Sequence, residues 1–162
     1  MARPDVLDYT TDNCSLVRAM QVLGERWTLV VLREVFIGVR RFEDIRQHTG
    51  IPRQVLTNRL GDLVDAGLLV REPYQDPGAR VRHEYRLTPK GLDLQPALVA
   101  LTRWGDRHLA DEAGPPLEFR HRGCGASVDV TPVCADGHVL ADPRQTVLEI
   151  GPGARPAAAA PA

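Results

Sequence analysis

Short and planar polar side chains cluster just after the turn-forming residues Gly50, Ile51 and Pro52. The side chains able to bind base edges there are Arg53, Gln54, Thr57 and Asn58. Arginine matches the two acceptors of guanine, and glutamine or asparagine matches adenine, with each pair contributing on the order of 1–3 kcal/mol of discrimination. These residues therefore indicate a surface that reads double-stranded DNA.

Further arginines surround this set, although the net charge of the 162-residue chain is only −1. Residues 40–59 contain five arginines against two acids, and residues 71–90 contain five basic side chains against three acids. Arg80 and Arg82 of the predicted wing are placed to contact phosphates or to enter the minor groove, and Arg41 is a further predicted DNA-binding residue. A solvated face of an amphipathic helix is the simpler explanation for any one of these arginines.

Cys14 lies just before a segment that is predicted to be helical. A helix N-terminus offers free backbone N–H groups and a positive dipole, which favour the reactive thiolate. A redox or electrophile-sensing role for Cys14 therefore competes with a purely structural role as a small packing residue.

A second group of sulfur and imidazole ligands occurs near the C-terminus. His121, Cys124, Cys134 and His138 have spacings that would allow four tetrahedral zinc ligands. A metal-free β-hairpin is preferred to this zinc site, and no metal or cofactor is predicted.

No catalytic constellation appears, and we predict that the protein is not an enzyme. The sequence contains no Gly-rich phosphate loop between a strand and a helix, no nucleophile elbow and no His-Glu-x-x-His motif. It also has no export signal and no apolar run of membrane-spanning length, so a cytoplasmic protein without a membrane partner is expected. Three cysteines are too few for a secreted disulfide scaffold.

The predicted elements place the polar set on a DNA-binding fold. Apolar spacing predicts two helices over residues 15–37, then a short helix, a three-residue turn, a helix to about Ala66 and a β-hairpin around Asp76–Ala79. Thr88 and Pro89 begin a long helix, which Pro96 is expected to kink. This order is typical of a winged helix. The fold class is therefore mainly α (α+β), a winged helix-turn-helix followed by a long helix and a small β-rich C-terminal appendage.

Successive motifs resemble the HxlR family of bacterial winged-helix transcriptional regulators. The similarity covers about residues 14–110, and its segments are Cys14–Val17, Leu23–Leu29, Arg41–Ile45, Val55–Leu60, Asp65–Leu69 and Tyr85–Gly91. It implies a homodimer on an inverted-repeat operator, with contacts between subunits made by the first helix and by the long helix after the wing. The family's operator-reading positions correspond to Arg53, Gln54, Thr57 and Asn58, and its wing contacts to Arg80 and Arg82.

The resemblance also frames the regulatory question. Some members of the family respond to quinones, hypochlorite or aldehydes through a cysteine at the position of Cys14. A small aromatic inducer is the competing signal, bound in an apolar cleft lined by Trp27, Phe36 and Trp104. We expect a repressor, and the alternative is a winged helix that binds a protein instead of DNA.

These expectations divide the chain into four parts. Residues 1–13 form a flexible N-terminus, residues 14–112 the HxlR-type domain with its dimerisation helices, residues 117–150 the β-rich appendage and residues 151–162 a disordered tail.

Overall fold

The computed structural model describes residues 8–157 and shows the predicted order of elements. They are α1 (Ser15–Leu23), α2 (Arg26–Phe36), α3 (Phe42–Thr49), α4 (Arg53–Asp65), β1 (Leu69–Tyr74), β2 (Arg82–Leu87), α5 (Pro89–Leu92) and α6 (Gln95–Leu109). The strands β1 and β2 form an antiparallel pair, which is the wing. The winged helix-turn-helix prediction is therefore confirmed.

The core of the domain is made by the apolar stripes of α2, α3 and α4. Leu56, Leu60 and Leu63 recur at helical spacing along α4 and are completely or almost completely buried. They pack with Val31, Leu32 and Val35 of α2, Ile45 of α3, and Ile51, Leu68 and Leu69. Each such side chain contributes roughly 1.5–3 kcal/mol through burial. This core fixes which side of α4 faces solvent.

A buried carboxylate joins α2 to α3. Glu34 has no exposed side-chain surface, and its Oε2 lies 2.6 Å from Nδ1 of His48. Its Oε1 accepts a 3.0 Å hydrogen bond from Nε of Arg33. A buried charge is tolerated when it is paired and hydrogen-bonded in this way, so Glu34 ties the first helix of the helix-turn-helix to the core.

The turn between α3 and α4 depends on Gly50. This residue has φ +70°, in the left-handed region, and its N–H donates to the carbonyl of Arg46 at 2.9 Å. Ile51 then enters the core, and Pro52 directly precedes α4. Glycine adopts this conformation without strain, so the three-residue turn sets the angle at which α4 leaves α3.

The wing is bonded to the segment that precedes α3. The N–H of Tyr85 donates to the carbonyl of Arg40 at 2.9 Å, and Arg41 forms an isolated β-bridge with Glu84. Residues 40–41 thus extend the edge of the sheet beside β2. The wing and the helix-turn-helix are joined by backbone hydrogen bonds as well as by the core.

The helix after the wing is two helices, which corrects the prediction of one long kinked helix from Thr88. Thr88 caps α5 by accepting a hydrogen bond from the N–H of Gly91 at 3.1 Å, as expected. Pro96 lies in the first turn of α6, where its missing N–H costs no hydrogen bond. The helix is accordingly interrupted between Leu92 and Gln95.

The compact units have boundaries that differ from the predicted domain limits. One unit is Val22–Val130, and the other combines residues of Met1–Gln21 and Thr131–Ala162. Residues 117–130 belong to the helical unit, where Nε of Arg103 donates to the carbonyl of Val128 at 3.1 Å.

In the other unit, residues 8–10 pair with residues 155–157. The N–H of Thr10 donates to the carbonyl of Arg155 at 2.9 Å, and the N–H of Ala157 donates to the carbonyl of Asp8 at 2.7 Å. Residues 1–7 of the predicted flexible N-terminus and residues 158–162 of the predicted disordered tail lie outside the described residues. The parts of those segments that are described, residues 8–13 and 151–157, are joined by this pairing.

The appendage at 117–150 is organised by isolated β-bridges rather than by a sheet. The bridges are Arg120 with Ser127 and Val133 with Val139, and a 3₁₀ turn follows at Pro143–Gln145. Across residues 8–157, no helix combines the length and apolarity needed to cross a membrane.

Candidate nucleic-acid interface

The side of α4 opposite the core carries all four predicted base-reading residues. Arg53, Gln54, Thr57 and Asn58, here called the reading face, are exposed. Nε2 of Gln54 donates to Oδ1 of Asn58 at 2.9 Å, and the hydroxyl of Thr57 donates to the carbonyl of Arg53 at 2.9 Å. These two bonds lie within α4, and among the residues described Gln54, Thr57 and Asn58 have no side-chain hydrogen bond to another element.

Arg53 is held by α3. Its guanidinium pairs with Glu43, and its Cζ lies 5.2 Å from the ring centroid of Phe42. Nε of Arg46 donates to the same carboxylate at 2.9 Å. This hydrogen bond from Arg46, followed by the charges of Arg53 and Arg46, holds the pKa of Glu43 below its ordinary value. Glu43 is therefore ionised at neutral pH and competes with any anion for Arg53.

A polar cleft of about 480 Å³ separates the wing from the start of α3 and α4. Basic side chains dominate its lining and are Arg41, Arg53, Arg71, Arg80, Arg82 and His83. Within the described chain, no acidic side chain forms a salt bridge with Arg71, Arg80 or Arg82, and these three are exposed. We call this group the arginine cleft, and it brings the predicted wing residues beside the reading face.

Arg41, a predicted DNA contact, also contacts two residues of the wing. Its guanidinium contacts Oδ1 of Asp76 at 3.2 Å, and its Cζ lies 4.2 Å from the ring centroid of Tyr74. Both partners belong to the wing, because Tyr74 ends β1 and Asp76 begins the turn. Arg41 thus anchors the wing in the free protein, while its side chain is still 43% exposed.

Arg71 and His83 are members of the cleft that sequence reasoning missed. The register pairs Arg71 with Tyr85 and Pro73 with His83, on the same face of the sheet as the buried Leu69. The alternation of side chains along β1 could have predicted the position of Arg71, because a residue two positions after a buried leucine lies on the same face of the sheet.

Cys14 directly precedes the N-terminus of α1, as predicted. Its carbonyl accepts the hydrogen bond from the N–H of Arg18 at 3.0 Å, which makes Cys14 the residue that caps the helix. Hydrogen bonds from the backbone N–H of Val17, and then of Leu16, lower the pKa of the Cys14 thiol. The side chain is exposed, so the arrangement favours an accessible thiolate.

The structure does not bring the three predicted pocket aromatics together. An apolar cavity of about 180 Å³ is lined by Phe36 with Leu98, Leu101 and Phe119, whereas Trp27 and Trp104 are absent from its wall. Trp27 lies nine residues before Phe36, which places it on the opposite side of α2. It stacks on Arg26, with Cζ 4.6 Å from its ring centroid, while the Trp104 ring lies 5.4 Å from that of His108.

Each compact unit holds one pair of the candidate zinc ligands. Nδ1 of His121 lies 3.1 Å from Sγ of Cys124 in the unit Val22–Val130. Sγ of Cys134 lies 3.4 Å from Nδ1 of His138 in the other unit. Each pair is a local arrangement within one turn of the chain.

The fold and the arginine cleft define a winged-helix protein of the helix-turn-helix class. A family model described as HxlR-like helix-turn-helix matches residues 22–113. The chain belongs to this family, as its motifs predict.

Known proteins support the same assignment. An HTH-type transcriptional regulator of Mycobacterium tuberculosis is 45% identical over 148 residues, covering 91% of this chain and 92% of that protein. The structure of PA1607, described as a proposed transcription factor, has a TM-score of 0.74 at 29% identity and covers 85% of this chain and 95% of its own. The redox regulator HypR in its reduced form has a TM-score of 0.52 at 26% identity, with coverages of 57% and 90%. The family and these relatives are transcriptional regulators, so the prediction that the chain is not an enzyme is confirmed.

Proposed function

We propose that this chain is a homodimeric repressor that binds an inverted-repeat DNA operator in the cytoplasm. The start of α4 enters the major groove, where Arg53, Gln54, Thr57 and Asn58 contact base edges. Arg80 and Arg82 of the wing contact phosphates or the adjacent minor groove. Arg41 contributes a phosphate contact at the edge of the arginine cleft while it keeps the wing in place.

The observation that carries this proposal is the position of the reading face beside the arginine cleft. Planar and short polar side chains stand exposed on the first turns of a recognition helix, which is the part that enters the major groove in this class. Unpaired arginines lie next to them and supply the salt-dependent attraction to phosphates. Base recognition and backbone attachment are thus available on one side of the molecule.

Two helices supply surfaces for the proposed dimer. In α1, no residue of the helix is buried, and Leu16 and Met20 are 67% and 47% exposed. In α6, Leu101 and Leu109 are 51% and 72% exposed. Apolar stripes at helical spacing that remain exposed in one subunit are typical of an interface between copies. A two-fold dimer would present two identical reading faces, which match the symmetry of an inverted-repeat operator.

The test is selection of bound DNA followed by measurement of affinity for three variants. Arg53→Ala should reduce discrimination at one base position by roughly 5-fold to 150-fold, the equivalent of one lost bidentate contact. Arg82→Ala should weaken binding to all sequences alike and reduce the salt slope by about 1. Arg144→Ala, which removes an exposed arginine of the 3₁₀ turn, is the matched control.

If neither Arg53→Ala nor Arg82→Ala changes DNA binding, the proposed reading face is wrong. Affinity that is independent of salt would instead indicate that the winged helix binds a protein partner.

For the inducing signal, we infer that Cys14 is an oxidant or electrophile sensor. The exposed thiol and its lowered pKa support this inference, as does the similarity to HypR, which is described as a redox regulator. With hypochlorite, two Cys14 thiols of a dimer would form one disulfide, and the oxidant would be reduced to chloride and water. Hypochlorite should release operator DNA from the wild type and leave Cys14→Ser bound.

A small aromatic inducer is the second candidate, because the cavity beside Phe36 and Phe119 is apolar. Release of DNA by such a compound should persist in Cys14→Ser and disappear in Phe36→Trp, which fills the cavity. The two variants therefore distinguish the two signals. If neither hypochlorite nor an aromatic compound releases DNA from the wild type, both proposed signals are wrong.

A further inference from the structure

We propose that Cys134, Asp136 and His138 form a zinc-binding site in the C-terminal segment. One thiol, one carboxylate and one imidazole are brought together by a single loop of five residues. Their ligand atoms all lie within 4.8 Å of one another. This site is independent of the DNA-binding surface proposed above.

The spacing of the sulfur and nitrogen atoms matches tetrahedral zinc. With Zn–S and Zn–N bonds of about 2.3 and 2.0 Å, two ligands at the tetrahedral angle stand about 3.5 Å apart. Sγ of Cys134 and Nδ1 of His138 are separated by 3.4 Å. A carboxylate oxygen of Asp136 lies within 4.8 Å of both atoms.

The backbone of the loop already holds this arrangement. The N–H of Cys134 donates to the carbonyl of His138 at 3.0 Å, and the N–H of Gly137 donates to the carbonyl of Cys134 at 2.9 Å. Gly137 has φ +83°, a left-handed conformation that a side chain would disfavour. Val133 and Val139 form a β-bridge that closes the hairpin. A loop ordered before metal binding loses little conformational entropy when it binds.

The compact unit that contains the site lacks buried residues in its described part, so a bound zinc ion could stabilise it. Among the described residues of this unit, 8–21 and 131–157, none is buried. Val133 and Val139 are 56% and 61% exposed. Small units without a hydrophobic core commonly depend on metals or disulfides, so a metal bound at the hairpin would supply stability that packing does not.

The donor set selects the type of ion. Calcium and magnesium prefer oxygen ligands, whereas a thiolate with an imidazole suits zinc. Three protein ligands leave the fourth tetrahedral position for water.

Metal binding can be tested on the purified full-length chain with zinc chloride and with cobalt(II) as a spectroscopic probe. We expect the wild type to retain zinc after gel filtration and to show the near-ultraviolet charge-transfer band of a cobalt–thiolate bond. Cys134→Ser should abolish that band, and His138→Gln should abolish retention of zinc. Cys14→Ser, which removes an exposed thiol elsewhere, is the matched control and should behave as the wild type.

Two further measurements keep the result interpretable. Circular dichroism should show that every variant keeps its helices, because the winged helix does not contain the site. Chelation of zinc should increase amide exchange within residues 131–157 and leave residues 22–130 unchanged. The proposed site would be overturned if the wild type does not bind zinc. It would also be overturned if Cys134→Ser and His138→Gln bind zinc as well as the wild type does. Unchanged affinity in Asp136→Asn would overturn the role of the carboxylate.

Discussion

Replacing Glu43 by glutamine should tighten DNA binding. Glu43 pairs with both Arg46 and Arg53 at the margin of the arginine cleft. Its lowered pKa means that the carboxylate is ionised at neutral pH. Glu43→Gln therefore removes one full negative charge and frees the Arg53 guanidinium, while the size of the side chain is preserved.

The size of the effect follows from counterion release. One additional phosphate contact makes the slope of log affinity against log salt steeper by about 0.9 per protomer. Because this contribution vanishes at about 1 M salt, a slope of about 0.9 raises the affinity about fivefold per protomer at roughly 0.15 M salt. For a dimer the affinity would rise about thirtyfold. This gain comes from the removed negative charge and applies to all sequences, because attraction to phosphates carries no base information. The proposed base contact of Arg53 would add to it only on the operator.

The assay is fluorescence anisotropy with a labelled operator duplex and with a scrambled duplex, between about 50 mM and 200 mM salt. Glu118→Gln is the matched control, since Glu118 also pairs with an arginine, Arg120, but lies outside the cleft. Affinity and salt slope that stay the same in Glu43→Gln would refute the competition between Glu43 and DNA for Arg53. An equal increase in Glu118→Gln would show that net charge alone is responsible.

Three other predictions concern reactivity, stability and the wing. Cys14, studied in a chain with Cys124 and Cys134 changed to serine, should be alkylated half-maximally at a lower pH in the native protein than in urea. A lower pH is expected because folding lowers the pKa of the Cys14 thiol. The stability that the thiolate contributes should therefore be lost as the pH falls through the pKa of the folded state. Leu60→Ala should lower the free energy of unfolding by about 2–5 kcal/mol in urea titrations, and equal stability would contradict its core position. Asp76→Ala should accelerate amide exchange at residues 75–81 and leave α4 unchanged, because it removes the ion pair with Arg41; no change would show that Arg41 does not anchor the wing.

Local patterns in the sequence predict much of the fold and the reading face. The leucines of α4 recur at helical spacing, so the opposite side with Arg53 and Asn58 had to face solvent. The turn at Gly78, with φ +75°, follows from glycine chemistry in the hairpin. These features depend on residues close together in the chain, for which periodicity is a sufficient guide.

Long-range contacts explain what sequence reasoning missed. Arg41 and Asp76 are 35 residues apart, and no periodicity relates them. Phe119 reaches the cavity beside Phe36 from a segment without regular secondary structure. The buried Glu34 stands out in an otherwise apolar stretch of α2, yet its partner His48 emerges only when α3 is packed. Predicting such pairs requires the three-dimensional arrangement.

The backbone bonds between residues 40–41 and β2 constrain how a signal can act. Because backbone hydrogen bonds join β2 to the segment that leads into the helix-turn-helix, bending the wing away from it would break these bonds. The proposed two-fold repressor would instead be switched by a change in the distance between its two recognition helices, which must match half-sites about 34 Å apart. Small displacements between subunits would then take both recognition helices out of phase with the double helix at once.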